Sequence, residues 1–127
     1  MYLRASGPDG RGFDSAKTWK LAFTAEQLPP VDSFWSVSMY RLMPDGGLYF
    51  SENPIDRYAI GDRTSGLKRG TNGSLEILMS RAEPATNPAG NWLPAPAEGN
   101  FVLILRAYLP KAALLEGFYE LPSVQAI

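Results

Sequence analysis

Short segments in which apolar and polar residues alternate recur along the chain and restrict the folds open to it. In residues 18–24, Trp19, Leu21 and Phe23 alternate with polar or smaller residues. Residues 101–109 repeat this alternation in the most apolar run of the sequence. Because successive side chains of a β-strand point to opposite faces, a period of two residues predicts strands. We expect residues 101–109 to form a central strand that is covered on both sides.

Turn-forming residues separate these segments. Pro44-Asp45-Gly46-Gly47 predicts a turn into a short strand, and Asn72-Gly73 predicts a hairpin between residues 67–69 and 75–80. The other predicted elements are strands at 2–4, 34–42, 48–50 and 118–121, a long proline-rich loop at 83–99, and one or two helical turns at 111–116 that end at Gly117.

Seven or eight short strands with little helical periodicity predict a mainly β protein. We expect an antiparallel β-sandwich, jelly-roll-like in its connections, with one short helix near the C-terminus. An open barrel is the structural alternative. The 127 residues fit one domain, so we predict a single β-sandwich domain over residues 1–127.

The composition excludes several classes of chemistry. The sequence has no cysteine and no histidine, which removes disulfides, thiolate and imidazole metal sites, and Ser-His-Asp catalysis. Twelve basic and thirteen acidic residues, without a basic run, argue against nucleic acid as a partner. No window is apolar enough for a membrane span, and the first residues lack the charged and apolar regions of a signal peptide, so we expect neither in this chain. We expect a periplasmic or secreted location if the chain is part of a longer exported protein, and a cytoplasmic one otherwise.

Residues 52–64 are the densest polar stretch of the sequence. Their paired acids and arginines, Asp56, Arg57, Asp62 and Arg63, are candidates for binding an anionic or sugar-like ligand. The alternative is an arginine–carboxylate network that holds the stretch in place. We favour the second interpretation and predict that Arg57 and Arg63 bond to Asp56, Asp62 or loop carbonyls.

Aromatic residues and further acids offer two other kinds of site. Tyr58 and Trp92, with Tyr40, are candidates for an aromatic platform against a glycan or small apolar ligand, whereas Trp35 is predicted to lie in the core. Hydrolysis of a glycoside requires two acids across a cleft, and the candidates by residue type are Glu52, Asp56, Asp62 and Glu76. No spacing of acids typical of a calcium site occurs, so we predict no metal and no cofactor.

Several motifs come in an order that resembles domain-of-unknown-function family 1214. They are Phe34-Trp35-Ser36-Val37-Ser38-Met39-Tyr40, Asn53-Pro54-Ile55-Asp56-Arg57-Tyr58, Gly61-Asp62-Arg63-Thr64, Asn91-Trp92-Leu93-Pro94-Ala95-Pro96, Leu105-Arg106-Ala107-Tyr108 and Pro122-Ser123-Val124-Gln125. The resemblance implies a mainly β, jelly-roll-like domain that often occurs in exported bacterial proteins and commonly follows a partner domain of family 1254. It implies no established activity. The family more often has Asn at the position of Asp56.

These observations lead to two functional hypotheses from different classes. We favour a non-catalytic binding or assembly module that works with a partner domain of the family 1254 type or in a homo-oligomer. The alternative is a carboxylate-based hydrolase that acts on a glycan or an ester.

Overall fold

The computed structural model describes residues 1–85 and 91–127 and consists of two β-sheets and one short helix. In chain order the elements are β1 (Tyr2–Ala5), β2 (Phe13–Asp14), β3 (Trp19–Phe23), a 3₁₀ turn (Ala25–Gln27), β4 (Trp35–Leu42), β5 (Leu48–Tyr49), β6 (Ala59–Gly61), β7 (Leu75–Ser80), β8 (Trp92–Pro94), β9 (Asn100–Ala107), α1 (Ala112–Leu115) and β10 (Gln125–Ala126). The prediction of a mainly β fold with a short helix near the C-terminus is confirmed.

The strands form a six-stranded and a four-stranded sheet. The larger sheet has the order β1-β9-β4-β5, with β2 also pairing with β9 and β6 with β4; the smaller has the order β10-β3-β7-β8. Among the described residues, every strand pair is antiparallel except β7 with β8, which is parallel.

The core lies between the two sheets and follows from the alternation in the sequence. Leu21 and Ile77 from the smaller sheet and Phe101, Leu103 and Leu105 from the larger one have at most 1% of their surface exposed and belong to one apolar cluster. Removing this apolar surface from water is the main favourable contribution to folding. Because the apolar residues of each strand face this core, the residues that alternate with them lie on the outward face of each sheet.

Three sequence predictions are wrong in detail. Asn72-Gly73 forms a local turn, in which the Gly73 N–H donates to the Gly70 carbonyl at 3.0 Å, and no hairpin forms because residues 67–69 are not a strand. β7 instead pairs with β3 over five residues, which directs its apolar residues into the core. No strand forms at 118–121, and the last strand is β10.

The predicted loop at 83–99 contains β8, which pairs in parallel with β7 and places Trp92 opposite Leu78. Proline is tolerated here because Pro94 ends a strand at the edge of its sheet. Residues 86–90 of this predicted loop lie outside the described residues. In the part of the chain that the structure describes, no helix has the length and apolar character needed to cross a membrane.

The outward face of the larger sheet carries the residues that matter below. Strand register places Tyr40 opposite Val102, Ser38 opposite Ile104, and Tyr2 opposite Arg106. Val102 is fully buried, but Ile104 and Arg106 are only half-buried. The expectation that this central strand is covered on both sides is therefore met only in part.

Candidate functional site

Arg106 occupies the middle of the outward face of the six-stranded sheet. Its guanidinium crosses from β9 to β4, where one terminal nitrogen donates to Ser38 Oγ at 2.8 Å and the other donates to the Tyr40 hydroxyl. The hydrogen bond to Tyr40 raises the pKa of Arg106 above its ordinary value, against the opposing effect of burial. The side chain is therefore a fixed positive charge at any physiological pH.

Two aromatic rings flank this guanidinium, and two more extend the cluster from one of them. Its central carbon lies 5.5 Å from the ring centre of Tyr2 and 5.6 Å from that of Tyr40. Tyr40 stacks on Phe50 at 4.8 Å, and Phe50 contacts Tyr58 at 4.9 Å. Tyr2 is 71% exposed and Phe50 is 56% exposed. We call Tyr2, Tyr40, Phe50, Tyr58 and Arg106 the arginine–aromatic face.

A second stack extends this surface past the ends of β4 and β9. Phe34 and Tyr108 stack with their ring centres 4.2 Å apart, and the Arg63 guanidinium lies 4.4 Å above the Phe34 ring. The Tyr108 N–H donates to the Phe34 carbonyl at 2.8 Å, which continues the pairing of the two strands. Cations above aromatic rings are attracted by the negative ring face.

The charge of this surface is mainly positive, although Asp14 of β2 is at an outward position opposite Asn100 near one end of β9. Register and alternation place no Asp or Glu at the outward positions of β1, β4, β6 and β9, whereas Arg4 and Arg106 both occupy such positions. No carboxylate within residues 1–85 and 91–127 lies at ion-pair distance from Arg106. The protein as a whole has a net charge of −1, so the positive charge is local to this side.

An open groove of about 840 Å³ continues the same surface toward the other end of the sheet. Arg4, Arg11 and Arg41 contribute to its walls from three separate segments of the chain. Arg41 also forms an ion pair with Glu98 at 3.1 Å. Arg41 is in register with the core residue Phe101, so it reaches this groove from the end of the sheet and not from the outward face.

The polar stretch at 52–64 is organised by Asn53 and by β6. The side-chain oxygen of Asn53 accepts the Arg57 N–H at 2.9 Å, and its amide nitrogen donates to the Arg57 carbonyl at 2.8 Å. Further along, β6 comes so close to β4 that a Cβ on Gly61 would lie 2.2 Å from the Trp35 carbonyl oxygen. Glycine is required there by this close approach.

Comparison with known proteins identifies the family of this chain. Residues 1–112 match the family described as Protein of unknown function (DUF1214). This chain belongs to the DUF1214 family. No curated protein matches the sequence.

Two solved structures resemble this DUF1214 chain. The VPA0106 protein from Vibrio parahaemolyticus is 28% identical with a TM-score of 0.81, and the match covers 99% of this chain and 30% of that protein. A putative uncharacterized protein from Burkholderia cenocepacia is 17% identical with a TM-score of 0.55, over 99% of this chain and 28% of the other. The DUF1214 chain therefore spans less than a third of the length of either protein.

The backbone conformation accounts for the residue type at position 56. Asp56 is exposed and has a φ of 49°, in the left-handed region. Apart from glycine, Asn and Asp tolerate this region best, because their short polar side chains can bond locally. The residue type at this position is therefore accounted for by backbone geometry without a ligand.

The other candidates from the polar stretch make separate contacts. The Arg57 guanidinium donates to the Trp92 carbonyl at 3.2 Å and so connects this stretch to β8. The Asp62 carboxylate accepts the Trp35 N–H at 3.3 Å. Arg63, as described above, is exposed and stacks on Phe34.

Of the remaining candidate residues from the sequence, some lie on the arginine–aromatic face and others are buried. Tyr58 lies on the arginine–aromatic face, whereas Trp92 is only 3% exposed and its indole N–H donates to the Ser80 carbonyl at 3.0 Å. Trp35, also 3% exposed, is in the core as predicted. Asp62 follows β6 in the larger sheet and Glu76 is exposed on β7 of the smaller one, so these two acids lie on different sheets. No cluster suited to a metal ion occurs within the described residues.

Sequence reasoning did not single out Arg106, Tyr2 or Phe50. The sequence did contain one signal for Arg106. It is a charged residue within the most apolar strand, and its side chain lies on the face of the sheet opposite that of Leu105. The roles of Tyr2 and Phe50 depend on contacts between distant parts of the chain, and these have no local signature.

Proposed function

We propose that this DUF1214 chain is a non-catalytic binding or assembly module whose contact surface is the arginine–aromatic face. The observation that carries the proposal is the combination of exposed, mutually packed aromatic rings with a fixed guanidinium that forms no ion pair with any carboxylate of the described residues. Aromatic residues and arginine are the residue types enriched in protein interfaces. Exposed apolar groups that gather in one patch commonly mark such contact sites.

The partner that fits this surface is another domain with apolar and acidic groups, rather than a second copy of the chain. In a twofold-symmetric dimer the same patch lies on both sides of the interface, so Arg106 and Arg4 would face a surface that carries the same two positive charges. Like charges placed opposite each other disfavour such pairing. The match to less than a third of the Vibrio parahaemolyticus protein supports a neighbouring domain as the partner, since most of that chain lies outside the matched part.

The experiment is a calorimetric titration of this chain with the part of the Vibrio parahaemolyticus protein outside the match, after circular dichroism shows that this probe is folded. We expect saturable binding that Tyr2→Ser and Phe50→Ser each weaken about tenfold, because each removes exposed aromatic contact area. Lys20→Gln, on the outward face of the smaller sheet, is the matched control and should leave affinity unchanged.

Sedimentation of the chain alone completes this test. A monomer that also fails to bind the folded probe overturns the proposal. Self-association that Tyr2→Ser abolishes would replace the partner domain with a second copy.

A further inference from the structure

We infer that the centre of the arginine–aromatic face is a receptor for a carboxylate, in which Arg106 binds the charged group while Tyr2 and Phe50 pack against the apolar body that carries it. This inference rests on the proposed function and specifies the chemical group that the face recognises. In the assembly, the carboxylate belongs to an Asp or Glu side chain that is flanked by an apolar residue on the partner domain.

The first argument is that the polar groups at this point are hydrogen-bond donors. The Tyr40 oxygen accepts from Arg106, so its hydroxyl proton points elsewhere and can donate, whereas Ser38 is only 5% exposed and serves to hold the guanidinium. A guanidinium has five N–H groups and no acceptor. A group that binds here must therefore supply acceptor oxygens.

The second argument is preorganisation. Two hydrogen bonds to β4 and two flanking rings hold the guanidinium in one position before any ligand arrives. A long side chain that is already ordered loses little rotamer freedom on binding, so more of the interaction energy appears as affinity. Arg63, which is exposed and held by one stacking contact, lacks this support.

The third argument concerns the charge and shape of the ligand. One guanidinium matches the single negative charge and the two coplanar oxygens of a carboxylate, with which arginine forms paired hydrogen bonds. The exposed ring of Tyr2 lies beside it, and the exposed ring of Phe50 stacks on Tyr40, so the two offer area for an apolar or planar body. A neutral sugar would contact the rings but leave the charge unmatched.

The test uses nuclear magnetic resonance of the whole ¹⁵N-labelled chain, observing the arginine Nε–H signals and the backbone amides. Sodium benzoate is the probe and benzamide is its neutral isostere, both at constant ionic strength, with inorganic phosphate as a third titrant. We expect benzoate to shift the signals of Arg106 and of the residues around Tyr2 and Phe50, with a dissociation constant on the order of a few millimolar for so small a ligand. Benzamide should bind at least about tenfold more weakly, since it lacks the charge that pairs with the guanidinium.

Two variants and a control locate the effect. Arg106→Gln should abolish benzoate binding, and Tyr40→Phe should weaken it severalfold while the Phe50 stack is retained. Lys20→Gln should bind benzoate like the parent. Tyr40→Phe keeps the test valid if Arg106→Gln fails to fold, because it removes one hydroxyl and little volume.

Several results would overturn the inference. Equal binding of benzamide and benzoate would make the face an apolar platform only. Benzoate shifts that spread over all exposed arginines and survive Arg106→Gln would indicate general ion pairing, and tighter binding of phosphate would indicate a phosphate site.

The outcome is separable from that of the proposed function. If Arg106→Gln leaves partner binding intact while Tyr2→Ser weakens it, the face is a contact surface and the carboxylate inference fails. If benzoate binds at Arg106 but no partner associates, the assembly proposal fails and the receptor stands.

Discussion

The outward faces of the two sheets differ in both charge and exposure. On the four-stranded sheet, Lys20 and Glu76 contribute one charge of each sign, and the large apolar residues Leu78 and Trp92 are buried. On the six-stranded sheet, Arg106 has no carboxylate partner among the described residues, and Tyr2 and Phe50 have more than half of their surface exposed. Both faces arise from the same two-residue alternation, so alternation alone does not distinguish a face that stabilises the fold from one that is open to a partner.

The difference shows how to separate structural from functional aromatic residues. The ring of Trp92 is buried and its N–H is hydrogen-bonded within the chain, so this side chain stabilises the fold without any partner. Tyr2 leaves most of its ring in water, so folding gains little from it. Substitution of Trp92 on the four-stranded sheet should therefore lower stability, whereas substitution of Tyr2 on the six-stranded sheet should lower partner binding.

The largest effect should come from Trp92→Ala. Removing this buried ring leaves a cavity and takes away one of the two hydrogen bonds to the Ser80 carbonyl, which also accepts the Ala95 N–H, so the free energy of unfolding should fall by about 3–5 kcal/mol. Tyr2→Ala should change it by no more than about 0.5 kcal/mol, since exposed side chains contribute little to folding. Urea unfolding monitored by circular dichroism measures both. If Trp92→Ala and Tyr2→Ala have the same free energy of unfolding, the proposed distinction between the two outward faces is wrong.

Arg57→Ala should have the next largest effect. It removes the donor to the Trp92 carbonyl at the edge of the smaller sheet, which should cost about 1–3 kcal/mol. Arg63→Ala removes a stacking contact on the opposite side and should cost only about 0.5–1 kcal/mol. Arg57→Lys should recover part of the loss, because an ammonium lacks the planar fork.

Thermal melting of these arginine variants tests the earlier prediction that Arg57 and Arg63 hold the polar stretch in place. Equal melting temperatures for Arg57→Ala and the parent would contradict a structural role for Arg57. A loss of partner binding by Arg63→Ala without a change in melting would assign Arg63 to the contact surface.

The smallest effect is expected from pH. Burial raises the pKa of Tyr119 from 10.0 to about 12, and its hydroxyl donates to the Gln27 carbonyl at 2.6 Å, next to the smaller sheet. Because the raised pKa belongs to the folded state, this stabilisation is fully present below pH 10 and is lost as the pH rises toward about 12. The free energy of unfolding of the parent should fall more steeply over this range than that of Tyr119→Phe. Parallel slopes in urea unfolding at pH 9, 10 and 11 would contradict this assignment.

Much of the fold could be predicted because the core depends on local patterns. The apolar residues of β3, β4, β7 and β9 were recognisable from alternation, and the turn before β5 from Pro44-Asp45-Gly46-Gly47. The errors concern strand pairing. Asn72-Gly73 has the composition of a hairpin turn, but β7 gains more by pairing with β3, since that pairing places Leu75, Ile77 and Met79 in the core.

The candidate site could be predicted only in part. Tyr58 and Arg63 were identified from residue type, and both lie on the outward side of the larger sheet. Trp92 was a candidate for the same platform but is buried against β7, because the segment that looked like a proline-rich loop supplies an edge strand. Residue type does not reveal which polar stretch lies beside which strand.

The sequence by itself determined that the chain is a mainly β protein of the DUF1214 family with a core built from alternating residues, because side-chain alternation and turn chemistry are local properties of the backbone. Only the tertiary structure decided that Arg106, from the last long strand, meets Ser38 and Tyr40 from β4 and Tyr2 from β1. Each of these three residues is more than sixty positions away from Arg106 in the chain. Their contact depends on the order and register of strands in the sheet, which burial of the whole core selects and no short segment encodes.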